Sequence, residues 1–227
     1  MKLYRFRYSP YARKVQVLLD LLGEPYELIE VSYTDRREFA EVTGGYLHVP
    51  VLVTTEGDVI VESRVICERL LNGTSAGVRS PAAQQRLVPS PLEGPIWAFA
   101  DFVDGPLEDI LFRIASPAIR DQWQTAAERG LYVLIKERKF GAGCVDAWLR
   151  GRAELVARAQ HLLAPTLSTL AQRPFLFGDQ PTLADAALYG NCVMLEEGSR
   201  ELLPQVSEAL RPYVARVDAY VAAHKTA

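Results

Sequence analysis

A strand that runs into a serine–proline step and then into a helix constrains this chain more than any other feature. Leu3-Tyr4-Arg5-Phe6 has strand character, and Tyr8-Ser9-Pro10-Tyr11-Ala12-Arg13-Lys14-Val15 comes directly after it. Pro10 suits a first helical turn, where its missing N–H costs nothing. Val15, Leu18, Leu19 and Leu22 then recur at i, i+3, i+4 and i+7, which predicts a helix with one buried face, and Gly23 ends it. The free N–H groups and positive dipole end of that helix point at Ser9, where an anion would be stabilised.

The alternation of strand and helix continues. Tyr26 to Val31 reads as a second strand, and Asp35 to Val42 as a short polar helix anchored by Phe39. Val49-Pro50-Val51-Leu52-Val53 and Val59-Ile60-Val61 read as short apolar strands, with Thr55-Glu56-Gly57-Asp58 as the hairpin between them. A helix from Ser63 to Leu71 comes next, with Val65, Ile66, Arg69 and Leu70 on one side. The order β-α-β-α-β-β-α on a mixed sheet is that of a thioredoxin-like α/β domain, placed at residues 1–73. Thioredoxin-like proteins carry Cys-x-x-Cys at the head of the first helix. Here those four residues are Ser9-Pro10-Tyr11-Ala12, so dithiol exchange, which requires a thiolate, is excluded at this place.

Composition shifts after Leu71. Asn72 to Gly77 is small and polar, and Pro81, Pro89, Pro91 and Pro95 punctuate the next stretch, so residues 74–92 are expected to be a linker and lead-in. Helical patterns fill residues 93–227, with Trp97 to Val103, Leu155 to Leu163 and Val214 to Val221 as the clearest, giving an all-α second domain.

The net charge of −3 leaves no basic surplus for a nucleic-acid partner. The run Lys136-Glu137-Arg138-Lys139 is interrupted by an acid and reads as a solvated helix face or loop. The first residues alternate apolar and charged, unlike a signal peptide, and no apolar run approaches the roughly 20 residues of a membrane helix, so the expectation is a soluble cytoplasmic protein. Cys67, Cys144 and Cys192, like His48, His161 and His224, lack metal-ligand spacing, and no metal is expected. The cysteines read as reduced apolar residues; Cys144, in the glycine-rich stretch Phe140 to Val145, is the one whose reactivity would be tested.

Three further motifs bear on chemistry. Val49-Pro50 lies where a turn meets a strand, a place that suits proline and, in a thioredoxin-like domain, a cis bond with the backbone of Val49 presented to the site. Glu62-Ser63 opens the last helix of the first domain. Ser63 is a preferred cap, and a hydroxyl at a helix N-terminus can hold a carboxylate while Glu62 pairs with an ammonium. Pro181-Thr182-Leu183-Ala184-Asp185 reads as a capping box whose role is folding.

Ser9, Val49-Pro50 and Glu62-Ser63, in this order, resemble the glutathione-binding pattern of the glutathione transferases. The serine followed by proline is similar to the tau, omega and related bacterial members, and the resemblance covers essentially the whole chain. It implies a homodimeric glutathione transferase needing no metal, with Ser9 as the catalytic residue. Ser9 would stabilise the thiolate of bound glutathione for attack on a small hydrophobic electrophile. Val49, Pro50, Glu62 and Ser63 would bind glutathione. His48 stands near the place of the family's basic residue for the glycine carboxylate, the alternative being an exposed histidine without a partner. Tyr8 is the alternative thiol donor, since other classes use a tyrosine near this point. The second-substrate pocket would come from Tyr11, Trp97, Phe102, Asp104 and Phe112. Two other functions share such a site: a glutathione-dependent isomerase or lyase of one metabolite, and a non-catalytic binding or regulatory module.

Overall fold

The computed structural model describes residues 1–72 and 81–225. The boundary at residue 73 and the part of the expected linker at 74–80 lie outside the described residues.

The first domain is built as the pattern predicts. β1 (Lys2–Arg5), α1 (Pro10–Leu22), β2 (Glu27–Glu30), α2 (Arg37–Thr43), β3 (Val51–Val53), β4 (Val59–Val61) and α3 (Ser63–Asn72) succeed one another in order. The sheet runs β2-β1-β3-β4, with β1 parallel to β2 and antiparallel to β3, and β3 antiparallel to β4. The register pairs Tyr4 with Val51 and Val51 with Val61. The end of β1, the start of β3 and the end of β4 therefore meet at one sheet edge. Ser9, Val49-Pro50 and Glu62-Ser63 are brought together there because each lies just beyond a strand end.

Ser9 caps α1 in extended backbone, accepting a 3.3 Å hydrogen bond from the Ala12 amide. Gly23 closes the helix in the left-handed region, at φ 71°, with its N–H on Asp20 O and the Glu24 N–H on Leu19 O. In place of one buried face, α1 is buried nearly all round, with Val17, Leu21 and even Lys14 covered beside Val15, Leu18 and Leu22. It lies between the sheet and the second domain, so both of its sides are core.

That second domain comprises α4 (Pro81–Leu87), α5 (Glu93–Phe102), α6 (Glu108–Gln122), α7 (Ala126–Phe140), α8 (Cys144–Arg150), α9 (Arg152–Leu170), α10 (Leu183–Gly198), α11 (Leu202–Val206) and α12 (Leu210–Lys225). The expected linker thus contains a helix. α4 buries Ala83 and Leu87, and its Gln84 and Arg86 donate to the carbonyls of Leu70 and Leu21, fastening it to the first domain. A π-helical turn at Val103–Leu107, containing Pro106, joins α5 to α6.

One continuous apolar core runs from Leu3, Leu18 and Leu52 through Ile114 and Leu188 to Tyr213. A smaller cluster of Tyr4, Phe39 and Val51 packs α2 against the other face of the sheet. α10 is the inner helix of the second domain, and its pairing with α1 is the most extensive helix–helix contact among the described residues. Gly190 sets its closeness: a Cβ there would lie 2.4 Å from Pro10 O and 3.0 Å from Lys14 N.

The capping box forms as expected at Thr182, but the weight falls on its acid. Asp185 is fully buried and accepts from Leu176 N at 3.0 Å, Thr182 N at 2.9 Å, Thr182 Oγ1 at 3.0 Å and the Tyr213 hydroxyl at 3.2 Å. Its carboxylate ties the loop before α10 to α12.

Both features can be checked by stability measurements. Gly190→Ala should destabilise by about 3 kcal/mol, at the upper end for overpacking because the opposing atoms are backbone, with a lowered denaturant midpoint as the readout. Thr182→Ala should cost about 1 kcal/mol, whereas Asp185→Ala should cost about 3 kcal/mol or more by leaving buried donors unpaired; similar midpoints for the two variants would contradict this division.

Candidate active site

Ser9 is 6% exposed, with its hydroxyl oxygen accepting from Ala12 N–H. Among the described residues its own proton has no acceptor, so the hydroxyl is polarised by the helix and free to donate outward. It opens on a cleft of about 310 Å³ between the domains, lined on the sheet side by Phe6, Tyr8, Tyr33, Arg36, His48 and Val49. Larger hollows of about 620, 590, 490 and 340 Å³ exist, and none of these is lined by Ser9.

The Val49–Pro50 peptide is cis, as expected for this place in the fold. Val49 is half-buried at the cleft wall, and its backbone N–H and C=O have no partner among the described residues. His48 is exposed beside it, its ring 5.5 Å from that of Tyr46.

Glu62 and Ser63 occupy the same sheet edge but do not line the cleft itself. The expected cap is shifted by one residue: Ile66 N–H donates to Glu62 O at 2.9 Å, so Glu62 holds the cap position and Ser63 is the first helical residue. Glu62 is the one described non-glycine residue with positive φ, 67°. This backbone is sparsely populated for a side chain with a Cβ. Its carboxylate accepts from the Tyr46 hydroxyl at 2.6 Å. Burial, followed by this carboxylate, holds the Tyr46 phenol well above its usual range.

Tyr8 stands in an aromatic cluster with Phe6, Tyr33, Trp123 and Tyr132, stacked on Phe6 at 5.7 Å and edge-on to Trp123 at 6.0 Å. Burial first, then Tyr33 and Tyr132, push its phenol well above the usual value.

Of the five residues expected to form a second-substrate pocket, Tyr11 and Phe112 line the cleft and three are placed elsewhere. Trp97 is covered by the Arg64 guanidinium, 3.9 Å from its ring centroid, and Arg64 also pairs with Glu68 and Asp101. Phe102 packs on Phe99 at 5.8 Å. Asp104 is bound to Lys14, whose side chain is 2% exposed, making an ion pair between α1 and the π turn. The contacts of Trp97 and Asp104 belong to the domain junction, because α5 and the π turn point these side chains back at α3 and α1, whereas Phe102 stays against its own helix.

The cleft contains groups that sequence reasoning passed over. Lys136 and Lys139, read there as part of a solvated run, line it from the C-terminal part of α7, with Arg36 and Glu108 alongside. The signal was their i, i+3 spacing, which puts both on one helix face while Arg138 points to solvent. Burial, then Lys139, pushes the Lys136 ammonium down to about 8. Burial pushes the Glu108 carboxyl up to about 7, opposed by a hydrogen bond from Tyr11. Asp109 is held by Arg113 at 2.8 and 3.0 Å.

The three cysteines are buried and free. Burial raises the Cys67 thiol to about 11 and raises Cys144 and Cys192 as well, which makes all three poor nucleophiles. Cys144 is the first residue of α8 and not part of an open loop. Among the described residues no cluster of potential ligands could hold a metal ion, and no helix is long and apolar enough to cross a membrane.

Residues 3–76 match the family model described as glutathione S-transferase, N-terminal domain. The chain is 24% identical to prostaglandin E synthase 2 of Mus musculus, over 86% of this chain and 64% of that protein. It is 30% identical to glutathione S-transferase omega-1 of Rattus norvegicus, over 31% of this chain and 29% of that protein. It therefore spans less than two thirds of the length of these curated relatives. Its fold is similar to that of a glutathione S-transferase of Ceriporiopsis subvermispora solved in complex with glutathione, with a TM-score of 0.71, 19% identity and 98% of each chain covered.

The neutral form of Glu108 is favoured in the folded protein, so its contribution to stability is complete below the unfolded value near 4.5 and is lost as pH rises towards about 7. Glu108→Gln should flatten the melting-temperature profile between about pH 4.5 and 7; a profile with the wild-type slope would place the titration on another group.

Proposed function

Taking residues 3–76 as a glutathione S-transferase N-terminal domain on a chain of that overall fold, we propose that the protein is a glutathione transferase whose thiol-activating group is Ser9. One observation carries this reading: the Ser9 hydroxyl oxygen is held by the Ala12 amide at the head of α1, with its proton free toward the cleft.

The tripeptide would run along the sheet edge. Its γ-glutamyl carboxylate would meet Ser63 and the unpaired N–H groups at the start of α3, with Glu62 facing its ammonium. Its cysteinyl backbone would pair with the unpartnered N–H and C=O of Val49, beside Pro50. This direction carries the glycine carboxylate past His48 towards Leu47 and Arg36, whose guanidinium donates to Leu47 O at 3.0 Å. The thiol then falls beside Ser9. A donated hydrogen bond and the helix N-terminus stabilise the thiolate in preference to the thiol, so the proton leaves to solvent at a lower pH. The thiolate attacks an electrophilic carbon of a small molecule held against Tyr11 and Phe112. Tyr8 is the weaker candidate for donor, because burial in its aromatic cluster makes it a poorer acid.

The reading is tested by ultraviolet titration of the glutathione thiolate on the protein. The wild type should give a thiol pKa below that of free glutathione. Ser9→Ala should return it towards the free value and lower turnover by about 10² to 10³, the usual effect of removing one such donor, while glutathione affinity stays within a few-fold. Unchanged turnover would move the role to Tyr8. A saturable complex without any shift would make the protein a binding module.

A further inference from the structure

Lysine is seldom held inside a protein without a partner, because desolvating an ammonium is costly unless an anion or hydrogen bonds compensate. Lys14 obeys this rule through Asp104. Lys136 does not. It is half-buried in the C-terminal part of α7, with Nζ 4.9 Å from the Phe112 ring centroid and 4.7 Å from that of Tyr132. Among the described residues no carboxylate lies within 4.0 Å of it and it makes no hydrogen bond.

Its surroundings favour an incoming anion. Lys139 lines the same cleft, with Nζ 4.9 Å from the Phe140 ring. Asp109 is spent on Arg113, and burial pushes Glu108 towards its neutral form near pH 7. Below Lys136, Phe112 and Phe140, with Trp148 behind them at 6.0 and 5.2 Å, make an aromatic wall. Arg36 and His48 belong to the opposite, sheet-side wall, where the glycine end of glutathione is directed. The ammonium on α7 is therefore left for the other reactant.

We propose that Lys136, assisted by Lys139, binds the carboxylate of the second substrate, so that this enzyme prefers electrophiles with an acid group on a planar, conjugated body. This rests on the glutathione transferase reading above. The aromatic wall takes the flat body, the ammonium takes the acid, and the electrophilic carbon is presented towards Ser9.

The test compares para-carboxybenzylidene acetone with its methyl ester. In each, the glutathione sulfur bonds to the β-carbon, the C=C electron pair moves to the enolate, and a solvent proton completes the ketone. Rates are normalised to the uncatalysed thiolate reaction, which removes the electronic difference between acid and ester. Wild type should favour the acid by about tenfold or more in normalised kcat/KM, the size expected of one charge-assisted contact. Lys136→Met should abolish that preference through the KM of the acid, and Lys136→Arg should keep most of it. Equal normalised rates for acid and ester in the wild type would overturn the proposal. So would a Lys136→Met variant whose KM rises for glutathione instead of the acid, since the lysine would then serve the glycine carboxylate. If neither compound is conjugated, the transferase reading itself fails. Quenching of Trp148 by the saturated, unreactive acid, para-(3-oxobutyl)benzoate, then still decides the Lys136 site: binding about tenfold weaker in Lys136→Met sustains it, and unchanged binding refutes it. Melting curves of both variants confirm that they are folded.

Discussion

Everything at the cleft depends on how closely α1 approaches α10. The missing side chain of Gly190 lets α10 sit directly against the Pro10 carbonyl and the Lys14 amide. This contact fixes the N-terminal turn of α1, and with it the direction of Ser9. It also explains why α1 is apolar on both sides and why Lys14 is covered. With the helix pressed between sheet and bundle, its one inward lysine needs a carboxylate, and the π turn between α5 and α6 delivers Asp104 for that purpose. An ion pair buried this way is weak evidence for net stability, but removing one partner strands a charge. It therefore acts as a register pin between the domains.

Two kinds of electrostatic support meet in the cleft. On the sheet side it is provided by the backbone: the start of α1, the free amide of Val49 and the start of α3. These groups are fixed by secondary structure and keep their polarity at any pH. On the helical side it is provided by side chains, Lys136, Lys139 and Glu108, and burial alters the charge balance of Lys136 and Glu108. A fixed chemistry on one wall and a tunable selectivity on the other is the consequence of this construction, since backbone donors cannot be altered by substitution and side chains can.

The first domain was legible in the sequence because its signals are local. Pro10 and Gly23 bracket α1, the Val-rich runs mark β3 and β4, and the Thr55–Asp58 turn joins them. Ser9 and the cis Val49–Pro50 could be located for the same reason: each sits beside a strand end. Ser63 was displaced by one position because a serine at a helix start fits either the cap or the next residue, and only the left-handed backbone of Glu62 distinguishes the two. The helix α4 was hidden because its opening Pro81 suits a helix start as well as a linker. Trp97, Phe102 and Asp104 were expected at the pocket from their residue types. Nothing local says which way a helix faces: Trp97 and Asp104 turn to the domain junction and Phe102 packs on Phe99.

The sequence by itself determined the order of elements, the serine at the head of α1, the absence of a dithiol and the capping box before α10, because each of these is settled within a few residues of chain. The tertiary structure alone decided that Lys136 and Lys139 line the cleft, that burial favours the neutral form of Glu108, and that Asp104 pairs with Lys14. Those outcomes depend on what a helix packs against, and burial and partners are supplied by residues far along the chain, ninety positions away in the case of Lys14 and Asp104.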